Sequence, residues 1–175
     1  LILEIKFSSI YDFDMTEMMK VELPEYREIP DVGLYLDQAV KYINGILEPY
    51  PDLQVTGSML SNYVKLKIVP RGSHKMYSRD QIVMFLFVAL AKPVLSMEQI
   101  RMTFELLEKN SPADWYRWFS DFLAGKTVDE KSSACEEKIL LQKIVTGVLQ
   151  KLELDQYFAE VKNRSETTEE ETKAA

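Results

Sequence analysis

Residues 58–82, SMLSNYVKLKIVPRGSHKMYSRDQI, hold five cationic side chains, Lys65, Lys67, Arg71, Lys75 and Arg79, against one acid, Asp80, in a chain of formal charge −7. Cations grouped on an acidic protein create a local field that attracts a polyanion, whatever the sum over the chain. A short helix over residues 56–66 that buries Leu60, Tyr63 and Val64 would leave Ser58, Ser61, Asn62 and Lys65 along its other side. Hydroxyls, an amide and an ammonium so placed are the groups that read base edges in the major groove of double-stranded DNA. Lys67, Arg71, Lys75 and Arg79 then flank that helix as phosphate contacts, which fix docking register without specifying sequence. A solvated basic face that binds nothing has the same composition, and any surface helix carries a polar outer side.

Catalytic chemistry has little to work with. His74 has no Cys, Asp or Glu at ligand spacing, so no metal site is expected. Cys135, in SSACEEK, sits beside two glutamates that disfavour a thiolate. One His and one Cys build neither a nucleophile triad nor a zinc cluster, and the six glycines form no phosphate-binding loop. The expectation is a protein that is not an enzyme and needs no cofactor. A single cysteine also excludes an intramolecular disulfide and fits a reducing, cytoplasmic setting. The opening LILEIKF, interrupted by Glu4 and Lys6, does not read as a signal peptide. The most apolar run, IVMFLFVALA, is about half the length of a membrane span and reads as a core helix, so no membrane association is expected.

The elements that must position the basic stretch follow from periodicity. Leu36, Ala39, Val40, Ile43, Ile46 and Leu47 recur at helical spacing, and Pro49 and Pro51 end that helix. Thr56 caps the short helix, and Ile68 and Val69 lead through Pro70, Arg71 and Gly72 towards a second tiny strand at residues 75–77, the outline of a β-wing. Ser78 caps a third helix, and Ser96 with Gln99 makes a capping box for a fourth. Ser111 and Pro112 open a segment with Trp115, Trp118, Phe119 and Phe122 on one face, which suits core packing or a ligand pocket. A longer helix over residues 128–152 carries Leu141, Val145, Val148 and Leu152, a stripe that suits intradomain core or a homodimer seam. A short helix is expected around residues 10–20 and another through Tyr157 and Phe158, whereas SETTEEETKAA has no apolar anchor and reads as disordered.

LSNYVKLKIVP, KMYSRDQI and VLSMEQI together resemble the winged-helix half of MerR-type transcription regulators. With LPEYREIPDVGLYLDQAV in front, the series is similar over residues 23–107 to the bacterial domain-of-unknown-function family 1836. Tyr63, Tyr77 and Ser78 match the MerR pattern; Ser61 stands where those regulators usually carry Arg, and Lys67 replaces their turn glycine. The resemblance implies a mainly α fold: a MerR-like winged helix-turn-helix with a small β-wing and a C-terminal helical extension. The expected division is an N-terminal arm at 1–30, the winged helix at 31–110, the extension at 111–163 and an acidic tail at 164–175. The function implied is a DNA-binding transcriptional regulator, working as a homodimer, with no effector identified. A protein-interaction module that keeps the winged helix only as a scaffold is the alternative.

Overall fold

A helix without charge on any side has no face to offer water, and the run from Ile82 to Ala91 is enclosed accordingly. A computed structural model describes residues 19–126 and 135–174, with side chains through Arg164. In chain order it contains β1 (Leu34–Tyr35), α1 (Leu36–Ile46), α2 (Gly57–Lys65), β2 (Met76–Tyr77), α3 (Arg79–Ala91), α4 (Met97–Leu107), α5 (Pro112–Leu123) and α6 (Glu136–Ala174). Within α3, every residue from Gln81 to Ala91 except Met84 is buried. Around it pack α1, α5, α6 and β2. None of the described helices is long and apolar enough to cross a membrane.

The aromatic face of α5 belongs to this interior. The Phe87 ring centroid lies 4.9 Å from Phe119, 5.2 Å from Phe104 and 5.9 Å from Trp115, the tilted and edge-on spacings that aromatic pairs favour. Trp118 and Phe122 pack at its margin. On α6, Leu141, Val145, Val148 and Leu152 are buried in the same cluster, so the two alternatives left open for each stripe resolve as core. The cluster runs from Val21 to Leu152. Thus the described part of the arm, the central segment and the extension share one interior. Residues 19–24 are strapped to the extension: Val21 N–H donates to the Leu123 carbonyl (2.9 Å), and the Tyr116 hydroxyl donates to that of Pro24 (3.0 Å).

Local signals set most boundaries. Thr56, Ser78, Ser96 and Ser111 each accept a backbone N–H at the start of a helix, and Ser78–Gln81 and Ser96–Gln99 form reciprocal capping boxes. Between α1 and α2, the Asn44 side chain makes a two-way clamp. Its Nδ2 donates to the Val55 carbonyl (2.9 Å) and its Oδ1 accepts from the Val55 N–H (2.8 Å). Val55 is buried, so nothing else replaces those bonds when the amide is lost.

The structure departs from expectation in two places. Residues 75–77 do not return against Ile68 and Val69. Instead β2 pairs antiparallel with β1, Leu34 opposite Tyr77 and Tyr35 opposite Met76, while Ile68 and Val69 are buried. The hairpin survives as a single bridge, Ser73 to Met76. Beyond Leu152, α6 does not break: its backbone stays helical through Tyr157 and Phe158 and on to Ala174, through the segment whose composition suggests disorder. Glu, Lys and Ala are strong helix formers, and local propensity extends a helix already nucleated in the core. The helix expected at residues 10–20 lies mostly outside the described residues, and residues 19 and 20 are irregular.

Replacing Asn44 by Ala removes two hydrogen bonds from a half-buried position, at roughly 1 kcal/mol each. Urea denaturation is expected to show about 2 kcal/mol lost through a lower midpoint at unchanged slope. An unchanged midpoint would mean that the clamp does not set the α1–α2 geometry.

Candidate nucleic-acid interface

Leu60 and Tyr63 anchor α2 in the core, and helical periodicity then turns Ser58, Ser61, Asn62 and Lys65 outward together; all four are exposed. Among the described residues, nothing from the C-terminal third covers that side. Lys65 lies in the last turn, where a cation also meets the negative end of the helix dipole.

The helix ends in a Schellman motif. Lys67 N–H donates to the Val64 carbonyl (3.0 Å) and Ile68 N–H to that of Tyr63 (3.0 Å), which puts Lys67 at the left-handed position with φ of 57°. Glycine is the residue that usually sits there, because a Cβ in this region costs about 1–2 kcal/mol. Six residues on, Met76 N–H donates to the Ser73 carbonyl (2.8 Å) across a two-residue turn in which His74 and Lys75 have φ of 50° and 63°. That is the type I′ geometry ordinarily given to Asn-Gly. Among the described residues, the non-glycine positions with positive φ are Lys67, His74 and Lys75. Strained backbone among the described residues therefore carries cationic or titratable side chains, all in one segment.

That segment is held from behind. Gln81, besides capping α3, donates through Nε2 to the Pro70 carbonyl at 2.7 Å. A Cβ added at Gly72 would lie 2.4 Å from the Met76 carbonyl oxygen, so only glycine lets the chain pass there. With its backbone fixed, the segment leaves Lys67, Arg71 and Lys75 exposed.

Arg79 is placed otherwise. Its Nε donates to the Ile29 carbonyl (2.8 Å), its NH2 lies 3.8 Å from Asp31, and its guanidinium stacks 5.2 Å from the Tyr26 ring centroid. The side chain is only 21% exposed. These contacts bind residues 26–31 to the start of α3 and draw Arg79, expected as a phosphate contact, away from the exposed set of Lys67, Arg71 and Lys75. Sequence spacing missed a different cation, Arg101 on α4, whose NH2 donates to the Leu66 carbonyl at the end of α2 (3.1 Å). The contact spans thirty-five residues, and no local pattern announces it.

Tyr63, Tyr77 and Ser78, which match the MerR pattern, are occupied structurally. Tyr63 is buried, Tyr77 stands edge-on to Phe85 at 5.1 Å, and Ser78 caps α3. Burial raises the Tyr63 phenol above its ordinary pKa. The Tyr26 phenol is pushed up to about 12, chiefly by desolvation and then by its hydrogen bond to the Asp80 carboxylate. No group of three His, Cys, Asp or Glu among the described residues could hold a metal ion.

A second feature lies on α1. Leu34, Gln38, Lys41, Tyr42, Gly45 and Ile46 line an open, largely apolar groove of about 500 Å³.

Residues 24–121 match a family model described as Domain of unknown function (DUF1836). No curated protein and no solved structure matches the chain.

Two outcomes are expected. Lys67→Gly relieves the left-handed strain, partly offset by the greater freedom of glycine in the unfolded chain, so stability should rise by about 0.5–1 kcal/mol. Thermal melting checks it; a fall would show that the lysine is not strained. For Tyr26, a folded-state pKa raised above the unfolded value of 10.0 means that its stabilising contribution is intact below pH 10 and lost as pH rises towards 12. Tyr26→Phe, which lacks that proton, should lose less stability over pH 10–12 in a denaturation series; an equal loss would contradict the assignment.

Proposed function

The chain belongs to the family described as Domain of unknown function (DUF1836), and we propose that it is a transcription regulator that binds double-stranded DNA through α2 and the turn after it. The order β1, α1, α2, turn, β2, α3 supports a MerR-like winged-helix reading, with β2 supported by β1 rather than by a full hairpin. Ser58, Ser61, Asn62 and Lys65 face the major groove; Lys67, Arg71, Lys75 and Arg101 meet phosphates.

The observation that carries this reading is the strained backbone. Three positions where glycine or asparagine would cost less hold Lys67, His74 and Lys75, beside an exposed polar helix face. Strain of this kind persists at sites where a side chain is needed in a set place.

The alternative, a protein-interaction module, draws on the open, largely apolar α1 groove lined by Leu34, Tyr42 and Ile46. A partner seated there would use Tyr42 and Ile46 and would be indifferent to Arg71 and Lys75.

Fluorescence anisotropy of labelled duplexes across a salt series separates the two. Four phosphate contacts predict a slope of log K against log salt of about −3.6, and Arg71→Ala with Lys75→Ala should reduce it to about −1.8. A chain with no salt-dependent affinity for duplex DNA, or a double variant that binds like the parent, would overturn the DNA reading. The binding assay also tests Lys67→Gly from the other side: the variant should gain stability and lose affinity.

A further inference from the structure

Imidazole is the side chain whose charge ordinarily changes between pH 5 and 8, and this chain has one, His74. It occupies the first central position of the two-residue turn between Ser73 and Met76, with φ of 50°, and it is exposed. A type I′ turn favours Asn or Gly there, so histidine costs stability, and an exposed ring recovers little of that cost by burial. The turn is fixed on both sides. Gln81 holds Pro70 ahead of it, Gly72 passes close against the Met76 carbonyl, and β2 pairs with β1 directly after it. The imidazole is thus displayed from a set backbone, between the cations of the same segment.

Its charged surroundings lack one thing. Lys75 follows it in the turn and Arg71 precedes it by three residues, both exposed. Of the elements packed on β2, α1 carries Asp37 and Lys41, α3 carries Arg79 and Asp80, and β1 carries no charge. Asp80 accepts from the Tyr26 hydroxyl, and Arg79 is engaged with Asp31 and the Ile29 carbonyl. None of the ion pairs among the described residues includes His74. The ring therefore has cations beside it in the turn and no carboxylate partner. A phosphate laid against the turn supplies the missing opposite charge, and it accepts from an imidazolium N–H. Neutral imidazole offers one N–H and one lone pair, whereas imidazolium offers two donors and suits a phosphate from either nitrogen.

We propose that His74 couples duplex binding to pH: a backbone phosphate of the DNA docks on the imidazolium, so that the chain takes up a proton as it binds and holds the duplex more tightly in acid. This rests on the reading of α2 and the turn as the DNA surface, and it adds one conditional phosphate contact to the four from Lys67, Arg71, Lys75 and Arg101. Coupling of this kind is reciprocal, since whatever the proton adds to duplex affinity the duplex adds to proton affinity. The bound chain carries more protons than the free one, so affinity rises as pH falls through the range in which imidazole titrates. Above that range it is flat.

Fluorescence anisotropy salt series at pH 8 and pH 5.5 test it. The slope of log K against log salt is expected to be about −3.6 at pH 8 and about −4.5 at pH 5.5, with roughly tenfold tighter binding in acid at about 0.1 M salt. His74→Gln, which cannot take the charge, should give about −3.6 at both pH values. His74→Lys, a residue type that the backbone already holds in the left-handed region at Lys67 and Lys75, should give about −4.5 at both. Calorimetry in two buffers of different ionisation enthalpy should register proton uptake on binding near neutral pH for the parent and none for His74→Gln. Duplex binding with the same slope at both pH values, or a pH effect that His74→Gln retains, overturns the proposal and leaves the DNA reading standing. A chain with no salt-dependent affinity for duplex at either pH overturns both.

Discussion

Enclosure of α3 is the constraint on which the remaining structure depends. A helix whose residues from Ile82 to Ala91 are nearly all apolar must be covered around its whole circumference, and the chain has to supply that cover from elements far apart in sequence. Helix α1 comes from before it, α5 and α6 from after it, and Phe104 and Trp115 fill the aromatic layer around Phe87. At roughly 1.5–3 kcal/mol for each large side chain buried, this one helix outweighs any single polar interaction in the molecule. It also explains why the C-terminal segment is not an independent appendage: without Leu141, Val145 and Val148 a side of α3 would be bare.

With the interior settled this way, the start of α3 becomes the fixed point for the surface. Ser78 and Gln81 cap it, Gln81 reaches on to Pro70, and Arg79 draws residues 26–31 against it. Short β2 enters directly above the cap and pairs with β1, which leads into α1. The polar side of α2 and the turn after it are therefore displayed from a rigid base. Strain at Lys67, His74 and Lys75 is sustainable because the neighbours on both sides, Tyr63 with Ile68 and Gly72 with Met76, are held by packing or close backbone approach.

Much of this was legible from residues alone where the cause is local. Thr56, Ser78, Ser96 and Ser111 announce helix starts because a capping oxygen acts within three residues. The length of IVMFLFVALA and its lack of charge identify the core helix. The exposed side of α2 follows from burial of Leu60 and Tyr63. What was not legible depends on distant partners. Five cations in one window look equivalent, yet Arg79 is separated from the others by contacts with Ile29, Asp31 and Tyr26, some fifty residues earlier. Arg101 joins the end of α2 from outside the window. Two-residue strands carry too little pattern to reveal their partners, so the pairing of β2 with β1 had no signature. The αL lysine was visible only as a missing glycine, a departure whose meaning depends on the backbone angle.

The proposed regulator function requires a duplex to land on the polar side of α2 and on the turn behind it. Titrating a nitrogen-15-labelled chain with a short duplex, followed amide by amide in two-dimensional NMR, addresses it most directly. The account expects shifts concentrated in residues 58–76 and at Arg101, with Gln38, Tyr42 and Ile46 in the α1 groove unmoved. Spectra that stay unchanged at saturating duplex, or shifts confined to the groove, would contradict it.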